Sequence, residues 1–244
     1  MSWFLLVLGA AAGGFVNGLA GFGTALFALG FWLQFLPPAQ AVAIAVMVST
    51  VTGLQGVLIV RRDIRENSRR LAIFVCPALP GVLVGAAALS FVEPGFLKFL
   101  VAAFMLLYGG FFILRRNLPR IDRSTPLIDA IVGFLGGILG GAASLSGVLP
   151  TMWCAMRAWP KSETRAVLQP FNVIVLGVTA AVFFITGAYD AEVLTLLAVA
   201  LPVAVISAQA GIAAFRRLGD DGFRRLLIGL MFFSGVALVL RSLV

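Results

Sequence analysis

Charged side chains are absent from the first sixty residues of this chain, Met1–Val60. Over the whole chain 61% of the residues are hydrophobic and 11% are charged, whereas roughly a quarter of the residues in a soluble domain are charged. A helix needs ~20 apolar residues to cross a hydrocarbon core, so uncharged runs of this kind predict membrane-spanning helices. The other uncharged runs are Leu71–Val92, Phe99–Leu114, Ala130–Met156, Ala166–Tyr189, Val193–Phe215 and Leu226–Leu240.

A β-barrel, a cleaved signal peptide and a nucleic-acid-binding protein fit this composition less well. A transmembrane β-barrel would alternate apolar and polar residues over ~10-residue strands, but these runs are continuously apolar. A signal peptide would begin with a basic region, which the segment starting at Trp3 lacks, so we interpret this segment as retained. The formal net charge of +8 is accounted for by arginines in short loops, as the positive-inside rule requires, so no nucleic acid is expected. The sequence therefore predicts an all-α integral membrane protein whose surroundings are the lipid bilayer.

The loop charges predict which ends of the apolar runs face the cytoplasm. Arg61–Arg70 contains five arginines, and loops of this kind stay cytoplasmic. The basic loops on either side of Asp129–Met156 need the same side. If that segment simply crossed the membrane, three later loops would break the rule together, so we expect a broken or re-entrant hairpin. The basic residues are Arg115, Arg116, Arg120 and Arg123 before it, and Arg157, Lys161 and Arg165 after it.

The N-terminal segment predicts the same shape, because Trp3–Leu36 is too long for one span and is interrupted by glycines. Each half of the chain then has one glycine-rich broken element and three spans, giving about eight hydrophobic helical segments in two inverted-topology repeats. A single transmembrane domain, 1–244, would comprise a first repeat 1–114, a cytoplasmic linker 115–126 and a second repeat 127–241. A shift of 123 residues places Gly13, Gly14 and Gly18 on Gly136, Gly137 and Gly141, and Ser49 on Asn172.

The broken elements are the candidate site, because irregular backbone at membrane depth is tolerated only where it is buried or lines a cavity. Glycines four residues apart, such as Gly14 and Gly18, suit close helix packing. The later residues of each motif indicate that one helix ends and another begins, although packing remains an alternative. A new helix exposes unpaired N–H groups and a positive dipole end that suit an anion. These residues are Gly21, Gly23 and Thr24 in the first element, and Ser144, Ser146 and Gly147 in the second.

Amides and hydroxyls follow each break in helices that are otherwise apolar. An amide at membrane depth is costly unless paired, so it either joins helices or faces a polar path. We interpret Gln169 and Asn172 as lining a path, and both interpretations stay open for Asn17. Ser49 and Thr50 are the hydroxyl residues of the first half.

No cation is expected at mid-membrane depth, so recognition of an anion would rest on N–H groups, hydroxyls and amides. Arg157 and Arg165 are expected at the cytoplasmic mouth, where they would anchor the topology or attract an anion.

Enzyme activity is not expected from this sequence. The chain has no histidine, so Ser144 and Ser146 lack the base that a serine protease requires. The sequence contains neither a Cys/His/carboxylate cluster that would bind a metal nor a phosphate-binding loop that would bind ATP, so no cofactor is expected. A structural membrane subunit would not need two broken elements with polar residues in both halves. A channel or a neutral-solute permease remains open as an alternative to a carrier.

The glycine-rich motif Gly14–Gly23 and its second copy, together with Leu145–Trp153 and Arg165–Asn172, resemble the sulfite exporter TauE/SafE family of bacterial membrane permeases. The resemblance covers nearly the whole chain, and the order, duplication and spacing of the motifs carry it. It implies a multi-pass protein of the bacterial inner membrane that moves sulfite, an organosulfonate or a related carboxylate anion. It also implies an ion gradient of protons or sodium as the driving force, whereas oligomeric state is left open.

Overall fold

The computed structural model describes residues 3–89, 123–157, 159 and 161–217, together with scattered residues between 91 and 121. In these residues the regular elements are helices, and no strand is present. The helices are α1 Trp3–Ala20, α2 Thr24–Trp32, α3 Pro38–Ile59, α4 Arg61–Glu66, α5 Ser68–Leu89, α6 Pro126–Ala143, α7 Val148–Ala155, α8 Lys161–Ile185 and α9 Ala191–Arg217.

Six of these helices, α1, α3, α5, α6, α8 and α9, are long and apolar enough to cross a membrane. The all-α membrane class predicted from the sequence is therefore confirmed. The span predicted at Phe99–Leu114 lies mostly, and the one at Leu226–Leu240 wholly, outside the described residues. The count of eight segments stays a prediction for that reason.

Two short helices fold back along the long helices that precede them. The Trp32 indole nitrogen, at the end of α2, donates to the carbonyl oxygen of Leu6, near the start of α1, at 3.1 Å. Just after the end of α7, Arg157 forms an ion pair with Asp129, in the first turn of α6, at 2.7 Å. Each pair is therefore a helical hairpin whose long arm is about 27 Å and whose short arm is about half that length.

Each hairpin packs, through glycines of its long arm, against a long helix from the other half of the chain. Gly14 and Gly18 of α1 lie directly on the backbone of Ala204 and Ala208 in α9, too close to admit a side chain. In the same way Gly137 of α6 lies on the backbone of α5. These parallel helix pairs correspond between the two halves, and small residues let their backbones approach. The packing interpretation of the early glycines in each motif is thus realised in the structure.

The basic segment Arg61–Arg70, predicted as a loop, is instead largely helical. Residues Arg61–Glu66 form α4, and α5 begins at Ser68. Arginine and glutamate are good helix formers, and the Asn67 amide nitrogen donates to the Asp63 carbonyl oxygen at 2.9 Å where α4 ends. Only one residue, Asn67, separates the two helices.

Polar contacts sort the loops to two ends of the molecule. At one end Arg70 pairs with Glu163 at 3.0 Å, so the start of α5 meets the start of α8. At the other end Gln40 donates to Glu192 at 3.0 Å, so the start of α3 meets the start of α9. The arginine-rich segments lie at the first end, and the acidic start of α9 lies at the second.

Candidate functional site

The first hairpin turns at Gly21 and Gly23, which have φ angles of 84° and 97°. Side chains with a Cβ rarely adopt this left-handed region, so glycine is required for the turn. The Gly21 N–H donates to the Asn17 carbonyl oxygen at 2.7 Å, which closes the end of α1 before α2 begins at Thr24. The predicted ending and restarting of a helix is present here.

The second hairpin turns at Ser144, which has a φ angle of 58°. In the described part of the chain it is the only residue other than glycine with a positive φ angle. The Ser144 N–H donates to the Gly140 carbonyl oxygen at 2.9 Å. A new helix, α7, begins at Val148 after Gly147. Ser144 is the residue that a shift of 123 places on Gly21, so both halves turn at equivalent positions.

The two turns meet inside the protein. A methyl group added at Gly147 would lie 2.7 Å from the Cβ of Phe22, so the ends where α2 and α7 begin are side by side. Asn172 of α8 joins them, since its amide nitrogen lies 3.4 Å from the Gly21 carbonyl oxygen and its amide oxygen accepts from the Ser146 hydroxyl. Asn172 thus bridges both breaks.

Gln169 lies one turn before Asn172 and is completely buried. Its amide nitrogen donates to the Gly53 carbonyl oxygen of α3 at 3.0 Å. Its side chain fills the space left by Gly21 and Gly56, where a Cβ would strike the amide group. Any side chain at Gly21 would therefore displace Gln169 as well as strain the backbone.

Asn17 ties α1 to α3 one turn before the first break. Its amide nitrogen donates to the Ser49 carbonyl oxygen at 3.1 Å and to the Thr52 hydroxyl at 2.7 Å. Thr52 in turn donates to the Val48 carbonyl oxygen at 2.6 Å. The amide nitrogen of Asn17 therefore serves to join helices, which was one of the two interpretations left open by the sequence.

Several buried polar atoms near the breaks have no hydrogen-bond partner among the described residues. Buried polar groups normally have partners, so this concentration marks unused hydrogen-bonding capacity. The first turns of α2 and α7 add backbone N–H groups that no intrahelical carbonyl can satisfy. The atoms are Asn17 Oδ1, Thr24 Oγ1, Ser144 Oγ, Thr151 Oγ1, Arg165 Nε and Gln169 Oε1.

The structure gathers most of the predicted site residues and leaves one apart. Thr50 donates to the Val46 carbonyl oxygen of its own helix at 2.8 Å, and its methyl group faces Gly177. It contacts neither break. The residues in or directly against the two breaks are Asn17, Gly21, Gly23, Thr24, Ser144, Ser146, Gly147, Gln169 and Asn172, with Ser49 bonded to Asn17.

Arg157, which the sequence places at the cytoplasmic mouth, is already paired in the structure. It is buried, pairs with Asp129 at 2.7 Å and also donates to the Thr125 hydroxyl. Trp153 donates to the same carboxylate at 2.6 Å and lies under the guanidinium. Asp129 is therefore a buried partner within α6, because this charge must be paired.

Arg165 is a second buried arginine, and it lies in the second turn of α8. Its side chain points toward α1, where it donates to the Gly18 carbonyl oxygen at 2.9 Å. The spacing of Arg165, Gln169 and Asn172 along one helix face, at i, i+4 and i+7, was the sequence signal that could have revealed it.

A family model described as "Sulfite exporter TauE/SafE" matches residues 5–238. A protein of Cupriavidus necator described as "Probable sulfite/organosulfonate exporter TauE" is 26% identical over 240 residues, which cover 95% of this chain and 91% of that protein. No solved structure matches the chain.

Proposed function

The chain belongs to the sulfite exporter TauE/SafE family, a family of membrane transporters and not of enzymes, and on that premise we propose that it moves a small anion across the bacterial inner membrane. Sulfite and organosulfonates are the proposed substrate class, by analogy with the description of the relative from C. necator. The chain itself supplies the physical argument for a negative charge.

The observation that carries the proposal is the meeting of two helix beginnings inside the protein. The starts of α2 and α7 lie side by side at Phe22 and Gly147. A helix N-terminus carries partial positive charge and free N–H groups, which bind oxyanions. Hydroxyls of Thr24 and Ser144, both buried without a partner among the described residues, add donors for sulfonate or sulfite oxygens.

We further propose that the fold is the predicted pair of inverted repeats, 1–114 and 127–241, joined by the linker 115–126. The equivalent turns at Gly21 and Ser144 support this organisation. So does the reciprocal packing of α1 on α9 and of α6 on α5. In secondary transporters, broken helices from two inverted halves place the substrate between them, and rocking of the halves gives alternating access.

The proposed orientation puts the arginine-rich end of the molecule in the cytoplasm. Arg70 and Glu163 are in contact at that end, and the arginines of α4 accompany them. The opposite end, with Gln40 and Glu192, then faces outward. This arrangement satisfies the positive-inside rule for the described loops.

Transport by the purified protein in liposomes tests the proposed function. We expect uptake of sulfite and of ethanesulfonate that saturates with concentration and is stimulated by the same anion inside, as for a carrier. Glycerol and erythritol serve as neutral solutes of similar size and should enter no faster than they enter protein-free liposomes. Proton and sodium gradients, imposed separately, identify the coupling ion. Movement of the neutral solutes alone would overturn the proposal, and flux without saturation or trans-stimulation would indicate a channel.

A further inference from the structure

Arg165 lies in the interior of the protein near the first helix break. It is the fifth residue of α8, and only 4% of its surface is exposed. Its two terminal nitrogens lie 2.9 Å and 3.4 Å from the carbonyl oxygens of Gly18 and Leu19, in the last turn of α1. Its guanidinium carbon is 4.0 Å from the centre of the Phe215 ring.

The charge of Arg165 has no carboxylate partner in the part of the chain that the structure describes. Two ion pairs occur there, Arg70 with Glu163 and Arg157 with Asp129. The carbonyl end of α1 and the face of Phe215 favour a cation, but each carries only partial negative charge. A buried charge balanced in this way still gains free energy from a full negative charge brought beside it.

The position of Arg165 connects it to the breaks. Arg165, Gln169 and Asn172 follow one face of α8. Arg165 contacts the end of α1 at the Gly18 carbonyl oxygen, and Gln169 and Asn172 contact the break at Gly21. The Nε of Arg165 and the Oε1 of Gln169, one turn apart, are both buried without a partner among the described residues. The Nε–H of a guanidinium is one arm of the fork that binds oxyanions in two-pronged fashion.

We propose that Arg165 recognises the negative charge of the transported anion, at a subsite between α8 and the break that joins α1 to α2. This inference rests on the proposed function and names the residue that sets its charge selectivity. In the described conformation the guanidinium holds the end of α1, and a bound sulfite or sulfonate group takes the free Nε–H edge. Arg157, by contrast, is already neutralised by Asp129.

A purely structural role for Arg165 predicts a different result. If it only capped α1, its loss would lower the stability of the protein and leave substrate affinity of the folded fraction unchanged. If it recognises the anion, its loss raises KM in the folded fraction, and a retained positive charge limits that rise. KM and folded fraction therefore separate the two roles.

The test compares ethanesulfonate uptake by liposomes containing the wild type, Arg165→Lys, Arg165→Gln and the control Arg70→Gln. The control removes the same charge from an exposed ion pair at the same end of the molecule. We expect Arg165→Gln to raise KM roughly tenfold to hundredfold, Arg165→Lys to raise it less, and the control to leave it unchanged. Equal KM values for all three Arg165 forms would overturn the inference.

A second variant keeps the inference testable should Arg165→Gln not fold. The chain contains no histidine, so Arg165→His introduces a single imidazole. Ethanesulfonate keeps its charge at all pH values used, so its affinity should fall as the imidazole loses its proton between about pH 6 and 8, and wild-type affinity should not. A flat pH profile in the folded variant would contradict recognition by this residue. Absence of uptake by the wild type would instead reject the proposed function itself.

Discussion

Gly21 and Ser144 hold the same left-handed backbone conformation at equivalent points of the two hairpins, with φ angles of 84° and 58°. At the first point the chain uses the residue for which this conformation is free of strain. At the second it uses a serine, whose hydroxyl is buried and has no partner among the described residues. The serine accepts strain where glycine was available to the fold, which is expected of a side chain retained for function.

Ser144→Gly should therefore stabilise the protein while weakening transport. Relief of left-handed strain, roughly 1–2 kcal/mol, exceeds the added entropy cost of glycine, roughly 0.5–1 kcal/mol. The reverse change, Gly21→Ser, should destabilise it, because a Cβ there also displaces Gln169. Thermal unfolding in detergent measures the stability of both variants. A lower midpoint for Ser144→Gly than for wild type would show that the hydroxyl is a structural group.

Gly147→Leu should abolish transport, because its side chain would occupy the place where the two breaks meet against Phe22. Gly177→Ala is the matched control, since its new methyl would lie 3.8 Å from the Thr50 methyl, an ordinary contact. Uptake per folded molecule in liposomes gives the comparison. Normal uptake by Gly147→Leu would move the anion path away from the breaks.

Gln169→Leu and Asn172→Leu should each raise the KM for the anion roughly tenfold to hundredfold, which is the loss expected of one hydrogen bond to a charged ligand. Thr179→Val is the control from the same helix, because within the described residues its buried hydroxyl bonds to the Val175 carbonyl oxygen in the preceding turn. Concentration series of uptake measure KM. Normal KM with reduced thermal stability would identify both amides as joints between helices.

Arg157→Gln should lower the free energy of unfolding by about 3–5 kcal/mol, because it leaves the Asp129 carboxylate buried without its ion-pair partner. The double variant Arg157→Gln with Asp129→Asn should recover part of that loss. Arg70→Gln breaks a pair with half-exposed side chains and should cost less than about 1 kcal/mol. Unfolding in mixed detergents with increasing SDS provides the measurement. Equal losses for both arginines would disprove the distinction.

Accessibility of single cysteines checks the orientation. In a background without Cys76 and Cys154, a membrane-impermeant thiol reagent should label Asp190→Cys from outside the cell. It should label Arg62→Cys and Lys161→Cys only after the membrane is opened. Labelling of Lys161→Cys from outside would contradict the proposed orientation.

The sequence predicted the helical membrane class because the length of an uncharged run is a local property. α9, for example, begins and ends within two residues of the apolar run Val193–Phe215. The helical α4 was missed because a dense run of arginines predicts a side of the membrane and says little about backbone conformation. The junction between α4 and α5 is the single residue Asn67, and its hydrogen bond to the Asp63 carbonyl oxygen is visible only in the structure.

Contacts between distant residues were beyond the sequence. Glycine, hydroxyl and amide positions at the breaks were recognisable, because such residues are unusual in apolar helices. That Asn172 reaches Gly21, or that Arg157 finds Asp129, depends on which helices are neighbours. The sequence placed Arg165 at the cytoplasmic mouth, but that its side chain reaches the end of α1 depends on the tertiary fold.

The reciprocal packing of the hairpins has a consequence for synthesis of the chain. α1 leaves the ribosome first, but the helix on which its glycines rest, α9, is completed only at Arg217. Until then the bare backbone along Gly14 and Gly18 lacks the helix on which it packs in the folded protein. The N-terminal hairpin therefore completes its packing only after the chain has been translated as far as Arg217, so the two halves depend on each other to fold. Assembly of the two hairpins with their partner helices is thus completed late in synthesis, when α9 has been made.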